Sequence, residues 1–232
     1  NKNCEVEIFY NSPVDANHTV NDLLKEGYNA VFIAPGAQTS MRTGIMGEDE
    51  NPEGLYYGLP FLTDVRTGKA IQLKGKVIVI GGGNVAVDVA RTALRSGAQE
   101  AQIFCLEPRD EMPAWEQDVE EAIEEGIAIN TEASPSRITQ KDGRVTGIEF
   151  THCVCVFDDE GCFNPTCDLE DTRFVDADNI IISIGQAADM SFLDADSKLE
   201  RELWGTLVVD TNTLATNVPG VFAGGDFTTG PT

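Results

Sequence analysis

Basic residues are what this chain has least of relative to their counterparts: 16 Lys and Arg stand against 39 Asp and Glu, a formal net charge of −23 at pH 7. A field of that sign repels nucleic-acid phosphates and anionic lipid headgroups. DNA, RNA and acidic membranes are therefore excluded as main partners. Much of the acid lies in helix faces such as Glu116 to Glu125, where it reads as a solvated surface. Long apolar runs are missing too. None reaches the roughly 18 residues of a membrane span, and NKNCEVEIFY has neither the charged start nor the apolar core of a signal peptide. A soluble, cytoplasmic chain is expected.

Cysteine is sparse, with 6 in 232 residues at irregular spacing, which excludes a disulfide scaffold. Cys153, Cys155, Cys162 and Cys167 follow neither the paired C-x-x-C spacing of zinc sites nor a ferredoxin run. Strand alternation puts Cys153 and Cys155 on one side as half-buried thiols, so no metal is expected. Histidine is rarer still, with 2 residues, His18 and His152, neither with a partner at useful spacing. No Ser-His-Asp set or paired carboxylates are visible, and no catalytic side chain is assigned. Hydride transfer needs none, because the chemistry belongs to the cofactor and the protein supplies position.

What is present is alternation of strand and helix. EVEIFY, residues 5–10, alternates as a strand; Thr19 and Asp22 have capping-box spacing ahead of a short helix ended by Gly27; YNAVFIAPGA reads as a buried strand running into a Pro35-Gly36 turn. A Gly-, Asp- and Pro-rich stretch over residues 38–67 leads into a short helix at 61–65, with a domain crossing placed at 60–75. KVIVI then predicts a strand, GGGNVA a turn, Val85 to Ser96 a helix and QIFCLE a second buried strand. Trp115, Val119, Ala122 and Ile123 share one face of a further helix and are read as core. Past the strand IAI the pattern changes to strands alone. Asp142-Gly143 marks a hairpin, its second strand continues through HCVCVF, a loop covers 158–171, and RFVDADNIIISIG is a buried strand ending at Gly185.

The glycines carry the chemistry. In GGGNVA the spacing G-x-G-x-x-A puts Gly81 at the tight turn off the strand, Gly83 where a side chain would block a pyrophosphate, and Ala86 where the helix must pack close to the sheet. The helix start then offers free N–H groups and partial positive charge to the phosphates. Gly81, Gly82, Gly83, Asn84, Val85 and Ala86 are the candidate pyrophosphate-binding set. Glu107, at the end of QIFCLE, is placed to accept ribose hydroxyls and repel a 2′-phosphate, which favours NAD(H) over NADP(H). Arg109 argues the other way if it pairs with a phosphate; the alternative is an ion pair with Asp110 or Glu111.

GYNAVFIAPGAQ, IMGEDE, GKVIVIGGGNVAVDVARTALRSGA, EPRDEMPA, EEGI, IISIGQ and GVFAGGDFTTGP together resemble the NADPH-dependent glutamate synthase small subunit and its flavoprotein relatives, built on two dinucleotide-binding domains like thioredoxin reductase. The resemblance covers essentially the whole chain. It implies an α/β fold in which a Rossmann-like nicotinamide-binding domain, with a three-layer ββα sheet arrangement, is inserted into a partial FAD-binding domain. Residues 1–60 and 185–232 are the implied FAD-domain segments and 61–184 the NAD(P) domain. Asp226 would hydrogen-bond the FAD ribityl chain, Gly225 would allow close approach, and Gly36 and Gly185 would end crossover strands. The implied function is an NAD(P)H-dependent flavoprotein oxidoreductase, passing hydride from nicotinamide to FAD and electrons to a partner subunit. The alternative is an isolated nucleotide-binding module, catalytically silent. In such proteins the first G-x-G-x-x-G and an iron–sulfur region precede the segment that starts here, so the chain is expected to be a fragment of a parent that carries FAD and iron–sulfur clusters.

Overall fold

The computed structural model describes residues 6–69, 71–193, 197–202 and 205–231. In chain order the elements are α1 (Val20–Lys25), β1 (Val31–Ile33), β2 (Thr39–Ser40), β3 (Leu55–Tyr57), α2 (Gly58–Arg66), β4 (Lys76–Ile80), α3 (Asn84–Arg95), β5 (Glu100–Phe104), α4 (Glu116–Glu124), β6 (Ala128–Asn130), β7 (Ala133–Lys141), β8 (Arg144–Phe157), β9 (Phe163–Asp176), β10 (Asn179–Ile182), β11 (Gln186–Ala187), β12 (Val221–Ala223) and α5 (Asp226–Thr229). Two compact units result, Asn1–Thr39 with Gln186–Thr232, and Ser40–Gly185. The chain passes into the larger unit at residue 40 rather than near 60, because β3 hydrogen-bonds in register with β10, Leu55 opposite Ile180.

The larger unit is built on a parallel sheet of order β3-β10-β4-β5-β6. Its central strands β10 and β4 are apolar at every position after the first because both faces are covered. Val77, Val79 and Ile181 turn to one side, where Phe61 of α2, the Ala86, Val89 and Ala90 face of α3, and Val119 and Ala122 of α4 complete a core. Ile78, Ile80, Ile180 and Ile182 turn to the other, against Ile138, Ile148, Phe150 and Val175 of the antiparallel sheet β7-β8-β9. Phe104 stacks on Phe150 with ring centroids 4.3 Å apart. The result is the expected three-layer arrangement of helices, parallel sheet and antiparallel sheet. The Asp142-Gly143 hairpin forms as read, with φ of 54° and 76°, both left-handed as a type I′ turn requires.

The smaller unit pairs β1 with β12 in parallel, Val31 opposite Val221. Val20, Ile33, Leu207, Ala223 and Phe227 form its core. The α1 capping box is present, Thr19 and Asp22 each bonding the other's backbone.

Several expectations change. Residues 6–9 form no strand, and Val6, Ile8 and Tyr10 are 64% exposed or more; alternation alone found no partner edge, and Glu5 lies outside the described residues. Trp115 caps α4 and is 72% exposed, with Ile123 exposed as well, so the buried stripe narrows to Val119 and Ala122. The acidic face is partly paired: Glu125 accepts from Arg91 at 2.7 and 2.9 Å and from Arg95 at 2.7 Å. The loop expected over 158–171 is mostly β9, whose polar residues are held by ladder bonds to β8 rather than by burial. The single strand expected up to Gly185 breaks after Asp176, because β9 and β10 belong to different sheets. A register shift between Cys153 and Cys155 separates two thiols that simple alternation put together; Cys153 is buried and Cys155 exposed.

Glu48, within the segment IMGEDE, is 1% exposed. Its carboxylate accepts from Thr43 Oγ1 at 2.6 Å, Gly44 N at 2.7 Å, Tyr57 Oη at 2.8 Å and Arg42 Nε at 3.3 Å. Burial pushes the Glu48 carboxyl up, but these donors together hold it below its usual value. The folded-state lowering makes the charge stabilising above the ordinary glutamate pKa of about 4.3, and that stability is lost as acid titrates the folded group. Glu48→Ala leaves Tyr57 and Thr43 without their acceptor. Urea unfolding is expected to show a loss of about 2–4 kcal/mol at neutral pH, and a smaller difference between variant and parent once the pH falls below the folded pKa.

Candidate functional site

The candidate site lies where β4 meets α3. Gly81 has φ 134°, a conformation side-chain-bearing residues rarely adopt, and its amide donates to Phe104 O at 2.8 Å. A Cβ here would fall 2.1 Å from Ser183 O, so the turn off β4 exists only because this residue has no side chain. At Gly82 a Cβ would meet Glu107 Oε2 at 2.8 Å and Cys105 Cβ at 3.0 Å. Gly83 differs from both. It caps α3 with φ −91°, and a Cβ would meet nothing within 4 Å. Its bareness answers to no neighbour within the protein and leaves open space over the helix start, where amides lack intrahelical acceptors.

The helix side of the motif is structural in detail. Ala86 is fully buried against the sheet and Val85 packs at the edge of the same core. Asn84 turns its side chain to the neighbouring loop, Oδ1 accepting from Trp115 N at 2.8 Å, while Gly82 O accepts from Ala114 N at 3.0 Å. The glycine turn and the segment before α4 are thus stitched together by two bonds.

Glu107 and Arg109 stand at the expected ribose end. Glu107 is half-buried, its carboxylate laid against Gly82. Arg109 does not pair with Asp110 or Glu111. Both of its terminal nitrogens go to Glu116, at 2.9 and 2.7 Å, because one turn of 3-10 helix at Arg109–Glu111 aims the side chain toward α4. Cys105 lies beneath, donating to Glu107 O at 3.5 Å, and burial pushes its thiol up to about 12. A cleft of about 280 Å³ opens alongside, lined by Leu106, Pro108, Glu111, Glu132 and the Cys153–Phe157 stretch of β8.

The remaining candidates sit elsewhere. Gly185 has φ 122°, and its carbonyl accepts from Met41 N at 3.0 Å. In the smaller unit Gly225, φ 68°, precedes α5, and its carbonyl accepts from Thr228 N at 2.8 Å; a Cβ there would meet nothing within 4 Å. Asp226, half-buried, follows as the first residue of α5. Sequence reasoning missed Glu48 and the Asn84–Trp115 bond. The first had a signal in an acid flanked by glycine in a segment otherwise read as loop; the second had none, since it joins residues 31 apart. Among the described residues no group of three or more His, Cys, Asp or Glu is arranged to hold a metal, and no helix is long and apolar enough to cross a membrane.

A parallel strand, a tight glycine turn, a bare glycine at the helix start and an acid at the end of the next strand make up the core of a dinucleotide-binding fold. Residues 2–232 match the pyridine nucleotide-disulphide oxidoreductase family, and the chain belongs to it. It is 41% identical over 230 residues to the NADP(+)-dependent formate dehydrogenase subunit beta of Moorella thermoacetica, covering 97% of this chain and 32% of that protein. It is 31% identical over 244 residues to the glutamate synthase [NADPH] small chain of Escherichia coli, covering 97% and 50%. Among solved structures it is similar to the thioredoxin reductase of T. acidophilum, with a TM-score of 0.65, 26% identity, and 87% and 58% of the two chains covered. The fold also matches Mycobacterium tuberculosis FprA, solved with NADPH, at a TM-score of 0.75, 20% identity, and 93% and 61% coverage. The chain spans between about a third and a half of the length of the curated relatives it matches here.

The distinct setting of Gly83 gives a clean expectation. Gly83→Ala has room for its methyl and an ordinary φ, so the melting temperature stays within about 3 °C. The methyl enters the space over the helix start, and calorimetric titration is expected to show dinucleotide affinity reduced at least about tenfold.

Proposed function

We propose that Ser40–Gly185 bind NAD(P)H, and that the parent protein is an NAD(P)H-dependent flavoprotein oxidoreductase of the glutamate synthase small-subunit type that delivers electrons to a partner subunit. The observation that carries the reading is Gly83, bare toward open space at the start of α3 while its neighbours Gly81 and Gly82 are bare for contacts within the protein. In this reading the pyrophosphate lies over Gly82 and Gly83 and takes hydrogen bonds from the first amides of α3. Glu107 accepts from the ribose at the adenosine end. Gly225 and Asp226 contribute to FAD binding in the smaller unit, Gly225 by close approach and Asp226 as acceptor for the ribityl hydroxyls. When bound, nicotinamide and flavin supply the hydride chemistry; the residues of this chain bind and orient them. Support for an electron-accepting partner comes from relatives named as subunits, the NADPH-Fe(3+) oxidoreductase subunit beta of Geobacter sulfurreducens among them, at 32% identity.

The preference for NAD(H) drawn from Glu107 is not supported by these relatives, whose names carry NADP or NADPH. We take NADPH as the ligand, with the Arg109 fork exchanging Glu116 for the 2′-phosphate. The second reading, a silent nucleotide-binding module, keeps the same site; rapid anaerobic bleaching of the parent's flavin by NADPH separates the two, since a silent module leaves the flavin oxidised. For cofactor choice, titration calorimetry on this chain should show NADPH bound at least as tightly as NADH. Arg109→Ala should weaken NADPH by about tenfold, or roughly 1.4 kcal/mol, and leave NADH within about threefold. Tighter binding of NADH by the unaltered protein returns the adenosine end to Glu107 alone.

A further inference from the structure

Two cysteines on the β8-β9 hairpin face each other directly. Cys153 and Cys167 are partners in register. The amide of Cys153 donates to Glu132 O at 2.8 Å, outside the β8-β9 ladder. In an antiparallel strand the N–H and C=O of one residue point to the same side. Cys153 therefore makes no ladder bonds with β9, and the pair is of the non-hydrogen-bonded kind, in which Cα atoms approach to about 4.5 Å and side chains are closest. Disulfides span Cα separations of roughly 4.4 to 6.8 Å. The Cys153 thiol donates to Cys155 O at 3.6 Å, a weak bond that a turn toward Cys167 would give up. Cys153 is 2% exposed and Cys167 is half-buried, the more accessible residue of the pair.

The remaining thiols of the hairpin lack this geometry. Cys155 faces Thr166 across the ladder, and its thiol donates to Phe157 O at 2.8 Å. Cys162 sits beside the turn, outside the paired register. We propose that Cys153 and Cys167 form a reversible cross-strand disulfide, a covalent redox site separate from the dinucleotide loop. The oxidant is a low-molecular-weight disulfide such as oxidised glutathione. The Cys167 thiolate attacks it, its S–S bond breaks, one glutathione thiol leaves, and Cys167 carries a mixed disulfide. Cys153 then gives up its proton to water and attacks the Cys167 sulfur, releasing the second glutathione. Two protein thiols lose two electrons, and one external disulfide becomes two thiols. The bond closes the hairpin between the register shifts that flank Cys153 on either side.

The test is made on the unaltered chain. After incubation with oxidised glutathione and removal of excess, unfolded protein is titrated for free thiols and digested for peptide mass mapping. The expected result is a loss of two thiols, one linked peptide pair joining Cys153 to Cys167, and full recovery with dithiothreitol. Cys153→Ser is expected to stop at a single glutathione on Cys167, and Cys162→Ser to behave as the parent does. Retention of all 6 thiols, or linkage of any other pair such as Cys155 with Cys162, overturns the proposal.

Discussion

A single approach of backbone to backbone sets the geometry of the larger unit. The α-carbon of Gly81 passes so near Ser183 O that no side chain fits between them. That approach follows from β4 and β10 lying side by side, Ile80 opposite Ile182, with both chains leaving the sheet at the same edge. From it come the sharp turn off β4, the position of Gly83 and the start of α3. Because the sheet is buried on both faces, this edge is one of the few places where its strands open to solvent.

The same two-sided burial explains why much of the fold was legible in the sequence. KVIVI and NIII announce themselves as strands because every position after the first is apolar, and the helices between them carry the matching period. The Asp142-Gly143 turn was readable because two consecutive left-handed residues admit few pairs of amino acids. What failed were features with little burial to report. Most of β9 is exposed, so its sequence holds no period, and it is a strand because β8 offers it a ladder. Residues 6–9 have the period and no ladder. The bulge after Cys153 shows the limit of alternation itself, since one irregular step moves the next side chain to the other face.

At the site, the parts fixed by backbone were readable and the parts fixed by long-range side-chain partners were not. Gly81 and Ala86 hold their positions because of shape, and Gly83 was legible from its spacing in the same turn. Arg109 takes Glu116 as its partner only once a 3-10 turn and α4 are in place, and Glu48 collects donors from four residues over a span the sequence presents as loop. Charge pairing depends on where side chains end, which local pattern does not encode.

The bond from Trp115 N to Asn84, with its companion from Ala114 N to Gly82, has a thermodynamic consequence. Ordering a loop around a ligand normally subtracts from binding free energy, at about 0.5–1.5 kcal/mol for each side chain immobilised. Here two loops are tied to each other while the space over Gly83 stands open. Their conformational entropy is lost when the chain folds, so a ligand that filled the space over Gly83 would find these two loops already held together.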